Sequence, residues 1–153
     1  MHITYRKATV EDIEPIYALC KQLIHDHERL ESIDYPKVMN WVRKKIETSI
    51  DEYTAIYANG QKAGYYHFYQ NEDGLFEIDD LYVLTAFQNR GIGTEAIRKC
   101  CASVNSAVML YVFIENKRAV SLYKRLGFEI VETVHGSRYI MRKATEAQEC
   151  EPQ

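Results

Sequence analysis

Between Tyr53 and Phe128 the spacing of apolar residues changes period, and this change limits the fold more than any other feature of the chain. Tyr53 to Ala58, Ala63 to Gln70 and Leu75 to Val83 carry the period of strands, joined by the turn sequences Asn59-Gly60 and Asn71-Glu72-Asp73-Gly74. These segments read as a meander. Gly91 to Val104 then takes helical spacing behind a glycine pair, and the apolar run from Val108 to Ile114 suits a strand covered on both faces. Asn116 can cap a further helix with Ala119, Leu122, Tyr123 and Leu126 on one face, which Gly127-Phe128 ends as a glycine C-cap with its apolar contact. Hairpin-linked strands followed by alternating helix and strand predict a mixed sheet.

The flanks extend this pattern. Ile3 to Lys7 alternates as a strand, and Thr9-x-x-Asp12 resembles a capping box ahead of Ile13, Ile16, Tyr17, Cys20, Leu23, Ile24 and His27 on one helical face. Pro15 lies about one turn inside, so that helix either frays at its start or begins at Asp12. Pro36 opens a second helix with the stripe Val38, Trp41, Val42 and Ile46. Glu129 to His135 pairs with Arg138 to Lys143 across Gly136-Ser137. The order is β-α-α-β-β-β-α-β-α-β-β, an α/β fold with a mixed sheet, expected as one domain over 1–144 with a polar tail over 145–153.

Composition narrows the function. Nineteen Lys and Arg against 22 Asp and Glu leave a charge of −3, which argues against nucleic acid as the main partner. The chain has no apolar run long enough for a membrane span and no apolar segment after Met1, so a cytoplasmic location is expected. Cys20, Cys100, Cys101 and Cys150 form no C-x-x-C pair, so neither a disulfide framework nor a metal site is expected. Twelve Tyr against 5 Phe demand partners for many hydroxyls, or a cleft to hold them.

Gln88-Asn89-Arg90-Gly91-Ile92-Gly93 lies between a strand and a helix. Glycines there let a ligand approach the backbone, while free N–H groups and the helix dipole favour an anion such as a pyrophosphate. A tight turn with close helix packing explains the same pair without a ligand. Gly91-Ile92-Gly93-Thr94-Glu95-Ala96 also satisfies the dinucleotide pattern G-x-G-x-x-A, with Glu115 near the place of a ribose-binding acid. That pattern wants its first glycine directly after the first strand, whereas Leu84 to Arg90 intervene here and a meander precedes them.

Gln88-x-x-Gly91-x-Gly93 after Leu81-Tyr82-Val83, then Asn116, then Leu122-Tyr123-Lys124-Arg125-Leu126-Gly127-Phe128, resembles the GNAT superfamily of acyl-CoA-dependent N-acetyltransferases. The resemblance covers nearly the whole chain, because the element order is also that fold's order. It implies central strands splayed around acetyl-CoA as cosubstrate, with no metal. It further implies that Gln88, Asn89, Arg90, Gly91, Ile92, Gly93 and Thr94 hold the pyrophosphate. The backbone at Tyr82 and Val83 would pair with pantetheine, Asn116 would bond the pantetheine arm, and Tyr123 would lie near the thioester sulfur.

Acetyl transfer to an amine needs a neutral nucleophile, a stabilised oxyanion and a proton for the departing thiolate. The acidic strand supplies Glu77, Asp79 and Asp80 as candidate bases. Glu77, fourteen residues before Gly91, resembles the general base of the histone-acetylating branch. Asp79 shares its face in a regular strand, whereas a bulge would bring Asp80 round instead. A solvated strand face is the plainer explanation. The backbone N–H of Val83 would meet the oxyanion, and Tyr123, two turns from Asn116, would protonate the thiolate unless it is only a core tyrosine. His25 and His27 face different ways, His67 reads as packed, and Cys100 and Cys101 lack a histidine motif.

Asp26, Glu28, Glu31 and Asp34, with Tyr53, Tyr57, Tyr65, Tyr66 and Tyr69, suit a cationic acceptor: a polyamine, an aminoglycoside or a peptide amine. An ordinary acidic surface is the alternative. An NAD(P)-dependent oxidoreductase and a non-catalytic acyl-CoA-binding module are the rival functions, and a homodimer is left open.

Overall fold

In the computed structural model, which describes residues 1–145, eleven elements follow the expected order. They are β1 (Ile3–Lys7), α1 (Ile13–His27), α2 (Tyr35–Ser49), β2 (Tyr53–Ala58), β3 (Gln61–Gln70), β4 (Phe76–Val83), α3 (Ile92–Ala102), β5 (Val108–Phe113), α4 (Lys117–Arg125), β6 (Glu129–Val134) and β7 (Arg138–Lys143). The seven strands run in the order β1-β2-β3-β4-β5-β7-β6, with β4 and β5 parallel and the outer pairs β1–β2, β2–β3, β5–β7 and β6–β7 antiparallel. The sheet is therefore mixed, as its sequence pattern predicts. No helix among the described residues is long and apolar enough to cross a membrane. Beyond Thr145 the expected polar tail lies outside the described residues, as does Cys150.

The chain divides into two compact units, Met1–His67 with Asp80–Ala86, and Phe68–Asp79 with Phe87 onward. In the first, Ile16, Ile46, Tyr53, Ile56 and Tyr65 are fully buried. Helix α1 begins after Asp12, which places Pro15 within its first turn, where proline costs no intrahelical hydrogen bond. Asp34 caps α2 by accepting from the Lys37 N–H at 3.3 Å, ahead of Pro36. The buried stripe of α2 is Met39, Val42 and Ile46. Trp41, expected in that stripe, is 63% exposed and holds the Lys45 ammonium 5.7 Å from its ring. Its indole can bridge water and a cation, which a buried position would forbid.

Two features fix the strands of this unit. Asn59 and Gly60 both adopt left-handed φ values, 50° and 81°, as a two-residue hairpin turn requires. A Cβ on Gly64 would lie 2.1 Å from the Tyr82 carbonyl oxygen, so only glycine lets β3 approach β4 this closely.

Asp12 joins the entry of α1 to β3. Its carboxylate accepts from the Thr9 N–H (2.8 Å), the Lys62 ammonium (2.6 Å) and the Tyr65 hydroxyl (2.9 Å), while the residue is only 4% exposed. Burial pushes the Asp12 pKa up, but the hydrogen bonds from Lys62, Thr9 and Tyr65 outweigh it and hold the group below the usual carboxylate range. Burial, aided by Asp12, raises Tyr65 to about 12.

In the second unit Ile92, Ile97, Val108, Leu110, Phe128 and Met141 form the core. β5 is covered on both faces except at Tyr111, which is 40% exposed with the Arg138 guanidinium 5.1 Å from its ring. The glycine C-cap is as expected: Gly127 has φ 97°, the Phe128 N–H donates to Tyr123 O at 3.0 Å, and Phe128 is buried. The last hairpin turns at His135-Gly136, one residue earlier than Gly136-Ser137, because these two take the paired left-handed φ values of 52° and 69°.

A depressed Asp12 pKa means that its stabilisation is fully present above the unfolded-state value and is lost as pH falls through the folded value. Asp12→Asn is expected to lower stability by about 1–3 kcal/mol at pH 7. In urea titrations repeated down to about pH 3, just below the ordinary aspartate value, the gap from the wild type should shrink.

Candidate functional site

After β4 the chain makes a short turn at Thr85–Phe87 and then exposes Gln88, Asn89 and Arg90. Asn89 and Gly91 take left-handed φ values of 65° and 82°, and Gly91 is the N-cap of α3. No side chain among the described residues caps this helix, so its first N–H groups and its positive dipole end face whatever enters the loop. Nothing lies within 4 Å of a Cβ built on Gly91, so glycine is needed there for its backbone angle and for close approach, not for packing. The loop can hold an anion.

Arg118, the second residue of α4, donates from Nη2 to Asn89 Oδ1. Asn116 caps the same helix, its Oδ1 accepting from the Ala119 N–H at 3.3 Å, which leaves its side-chain NH2 as the group able to donate elsewhere. Val120 and Tyr123 form the buried face of α4, whereas the expected stripe omitted Val120. Tyr123 packs edge-on against Phe128 at 5.9 Å between centroids, and burial raises its phenol to about 12.

The acidic strand is irregular. Its ladder with β5 runs from Phe76 to Ile78, and Asp80 has a left-handed φ of 51°, the departure from regularity that the sequence left open. Glu77 is 6% exposed and accepts from Asn71 Nδ2 at 3.3 Å. Asn71 itself is fixed by accepting from the N–H groups of Asp73 and Leu75, each at 3.0 Å. Asp80 belongs to the other unit. Its Oδ2 accepts from the Tyr53 hydroxyl at 2.6 Å and the Lys45 ammonium at 3.2 Å. Asp79 is half-buried. The Tyr82 ring points into the core, and its buried hydroxyl has no hydrogen-bond partner among the described residues. Burial above all, then Asp80, pushes its ionisation far up.

The tyrosine wall expected for a cationic acceptor is only partly present. Tyr53, Tyr65 and Tyr66 are buried, and Tyr53 stacks on His67 at 4.5 Å. The Tyr57 ring already has Arg6 and Lys62 at 5.0 and 5.8 Å, and Tyr69 is half-buried. The Tyr65 hydroxyl donates to buried Asp12 and the Tyr53 hydroxyl to half-buried Asp80, which lets both rings pack inward. Asp26, Glu31 and Asp34 are exposed. His67 is packed, with Nε2 3.0 Å from Glu52, and His25 meets the Tyr35 hydroxyl at 2.7 Å. Among the described residues no group of three His, Cys, Asp or Glu side chains could hold a metal ion.

A separate cavity of about 780 Å³ lies beside Arg98, Cys101, Arg125 and Lys143. Lys143 donates to the Leu126 carbonyl at 2.6 Å, the role expected of a cation at a helix C-terminus.

Residues 12–128 match the acetyltransferase (GNAT) family, and the chain belongs to it. An uncharacterised N-acetyltransferase of Methanocaldococcus jannaschii is 44% identical over 64 residues, covering 39% of this chain and 28% of the relative. A histone acetyltransferase of Arabidopsis thaliana is 35% identical over 83 residues, 51% of this chain and 34% of the relative. The chain thus matches about a third of the length of these curated relatives. The fold is also that of the PaiA N-acetyltransferase of Thermoplasma acidophilum, solved in complex with coenzyme A: TM-score 0.71, 22% identity, 94% of this chain and 99% of that one.

Sequence reasoning missed Arg118, Asn71 and Gly64. Only Gly64 carried a signal, since an isolated glycine in a strand marks a close backbone approach. Gly91→Ala has space but the wrong φ; it is expected to destabilise the protein by about 1 kcal/mol in chemical denaturation, through backbone strain alone.

Proposed function

We propose that the protein moves the acetyl group of acetyl-CoA to a primary amine by direct attack within a ternary complex. The observation that carries this reading is the uncapped start of α3, preceded by left-handed Asn89 and Gly91, in a chain of the GNAT family. Family motif positions assign the pyrophosphate to the N–H groups of residues 88–94 and to Arg90, and pantetheine to the backbone at Tyr82 and Val83. Asn116 would donate its side-chain NH2 to the pantetheine arm.

The acceptor arrives as an ammonium and must lose a proton before its nitrogen can attack the thioester carbon. Glu77 is the base this reading favours. It is buried and stands fourteen residues before Gly91, where the family resemblance puts the general base of the histone-acetylating branch, whereas Asp80 is bound to Lys45 and Tyr53 and would leave them unpaired if displaced. Asp79 and Asp80 then contribute negative charge and the irregularity of β4. The Val83 N–H receives the oxyanion. As the C–S bond breaks, Tyr123 protonates the thiolate; a phenol raised to about 12 keeps its proton throughout the neutral range.

The acceptor class is a cationic amine, supported by exposed Asp26, Glu31 and Asp34 and half-buried Glu28. Among such amines a peptide amine is favoured by the likeness to a relative named as a histone acetyltransferase.

Acetyl-CoA is expected to raise the melting temperature and NAD(P) to leave it unchanged; the opposite pattern points to an oxidoreductase. Amine-dependent thiol release is expected with polyamine or lysine-peptide acceptors, and acetyl-CoA binding without release from any amine would identify a non-catalytic module. Tyr123→Phe should retain CoA affinity and lower kcat by about 10²-fold. Unchanged kcat would return Tyr123 to a packing role. Glu77→Gln should lower kcat by about 10²-fold or more and remove the acidic limb of its pH profile. An unchanged limb would move the base elsewhere.

A further inference from the structure

Asn89 is a non-glycine residue at φ 65°, a left-handed angle that asparagine takes more readily than other side chains but that the surroundings must still select and hold. The hydrogen bond from Arg118 Nη2 to Asn89 Oδ1 supplies such a hold. It also ties the first turn of α4 to the loop opening α3, so the positive ends of two helices are fixed near one another within the same unit. Arg118 is exposed, lies off the buried face of α4, and has no carboxylate partner among the described residues. Neither packing nor an ion pair accounts for its placement.

We propose that Arg118 is a positioning residue for the cofactor loop. By gripping the Asn89 side chain it keeps the loop backbone in its anion-binding conformation before acetyl-CoA arrives. This rests on reading the chain as an acyl-CoA-dependent transferase. Since the guanidinium acts through a neutral amide, its contribution is preorganisation, and its removal leaves the loop to be ordered by the ligand. Affinity for CoA falls as a result, and the chemistry does not.

Titration calorimetry of CoA into the full chain tests this with Arg118→Ala, Arg118→Lys, Asn89→Ala and the double variant Arg118→Ala/Asn89→Ala. Each alanine variant should weaken binding about tenfold, the loss expected for one hydrogen bond to a charged group. The double variant should be no weaker than either single one, because both remove the same contact. Arg118→Lys, which keeps a donor, should recover most of the affinity. The melting temperature of Arg118→Ala without ligand should match the wild type, so that its loss of affinity is not a loss of fold. An unchanged dissociation constant in Arg118→Ala overturns the proposal. So do losses that multiply in the double variant, the result expected if Arg118 touches a phosphate independently of Asn89. A wild-type protein that does not bind CoA instead removes the acyl-CoA reading on which the proposal stands.

Discussion

The first turn of α3 has backbone donors that no side chain among the described residues caps, and the arrangement of the surrounding loop follows from that. Donors left open at a helix start need water or an anion. The chain presents them without covering them: Asn89 and Gly91 turn the backbone through left-handed angles and the loop side chains point outward. An ordinary Ser or Asp cap would have closed the same helix and abolished the site. In the site proposed above, the open helix start is the binding element, and the Arg118–Asn89 hydrogen bond would supply the local order that a cap otherwise provides.

A different constraint shapes the first unit. Asp12 and Asp80 are both largely withdrawn from water, and each is held by one lysine and one tyrosine hydroxyl: Lys62 with Tyr65, and Lys45 with Tyr53. Tyr53 and Tyr65 are used in this way. The rings fill the core while their hydroxyls satisfy carboxylates, a pairing phenylalanine cannot make.

The element order and the terminators were legible because they depend on local chemistry. Asn116, Gly127 and Pro36 act within a turn of their own position, and each stands where its residue type demands. The last hairpin was displaced by one residue because His135, not Ser137, takes the left-handed angle, and histidine carries little turn signal. Contacts distant in sequence were not legible. Nothing near Trp41 announces that α2 exposes it, and Arg118 and Asn89 stand 29 positions apart, beyond any helical or strand period. The acidic segment was readable as a candidate but not in detail. Asp80 departs from strand geometry and is bound by Lys45 and Tyr53, partners too distant in sequence to be read locally.

Gly64 divides the routes by which this chain could change its specificity. With the Tyr82 carbonyl where a Cβ would stand, every other residue type at that position must displace the strand that carries the acidic segment. Single substitutions leave the scaffold in place more easily where side chains already reach solvent, as at the exposed acids Asp26 and Glu31. Under the proposed function a new acceptor preference is reached by editing those acids, while the close approach of β3 and β4 at Gly64 stays closed to gradual change.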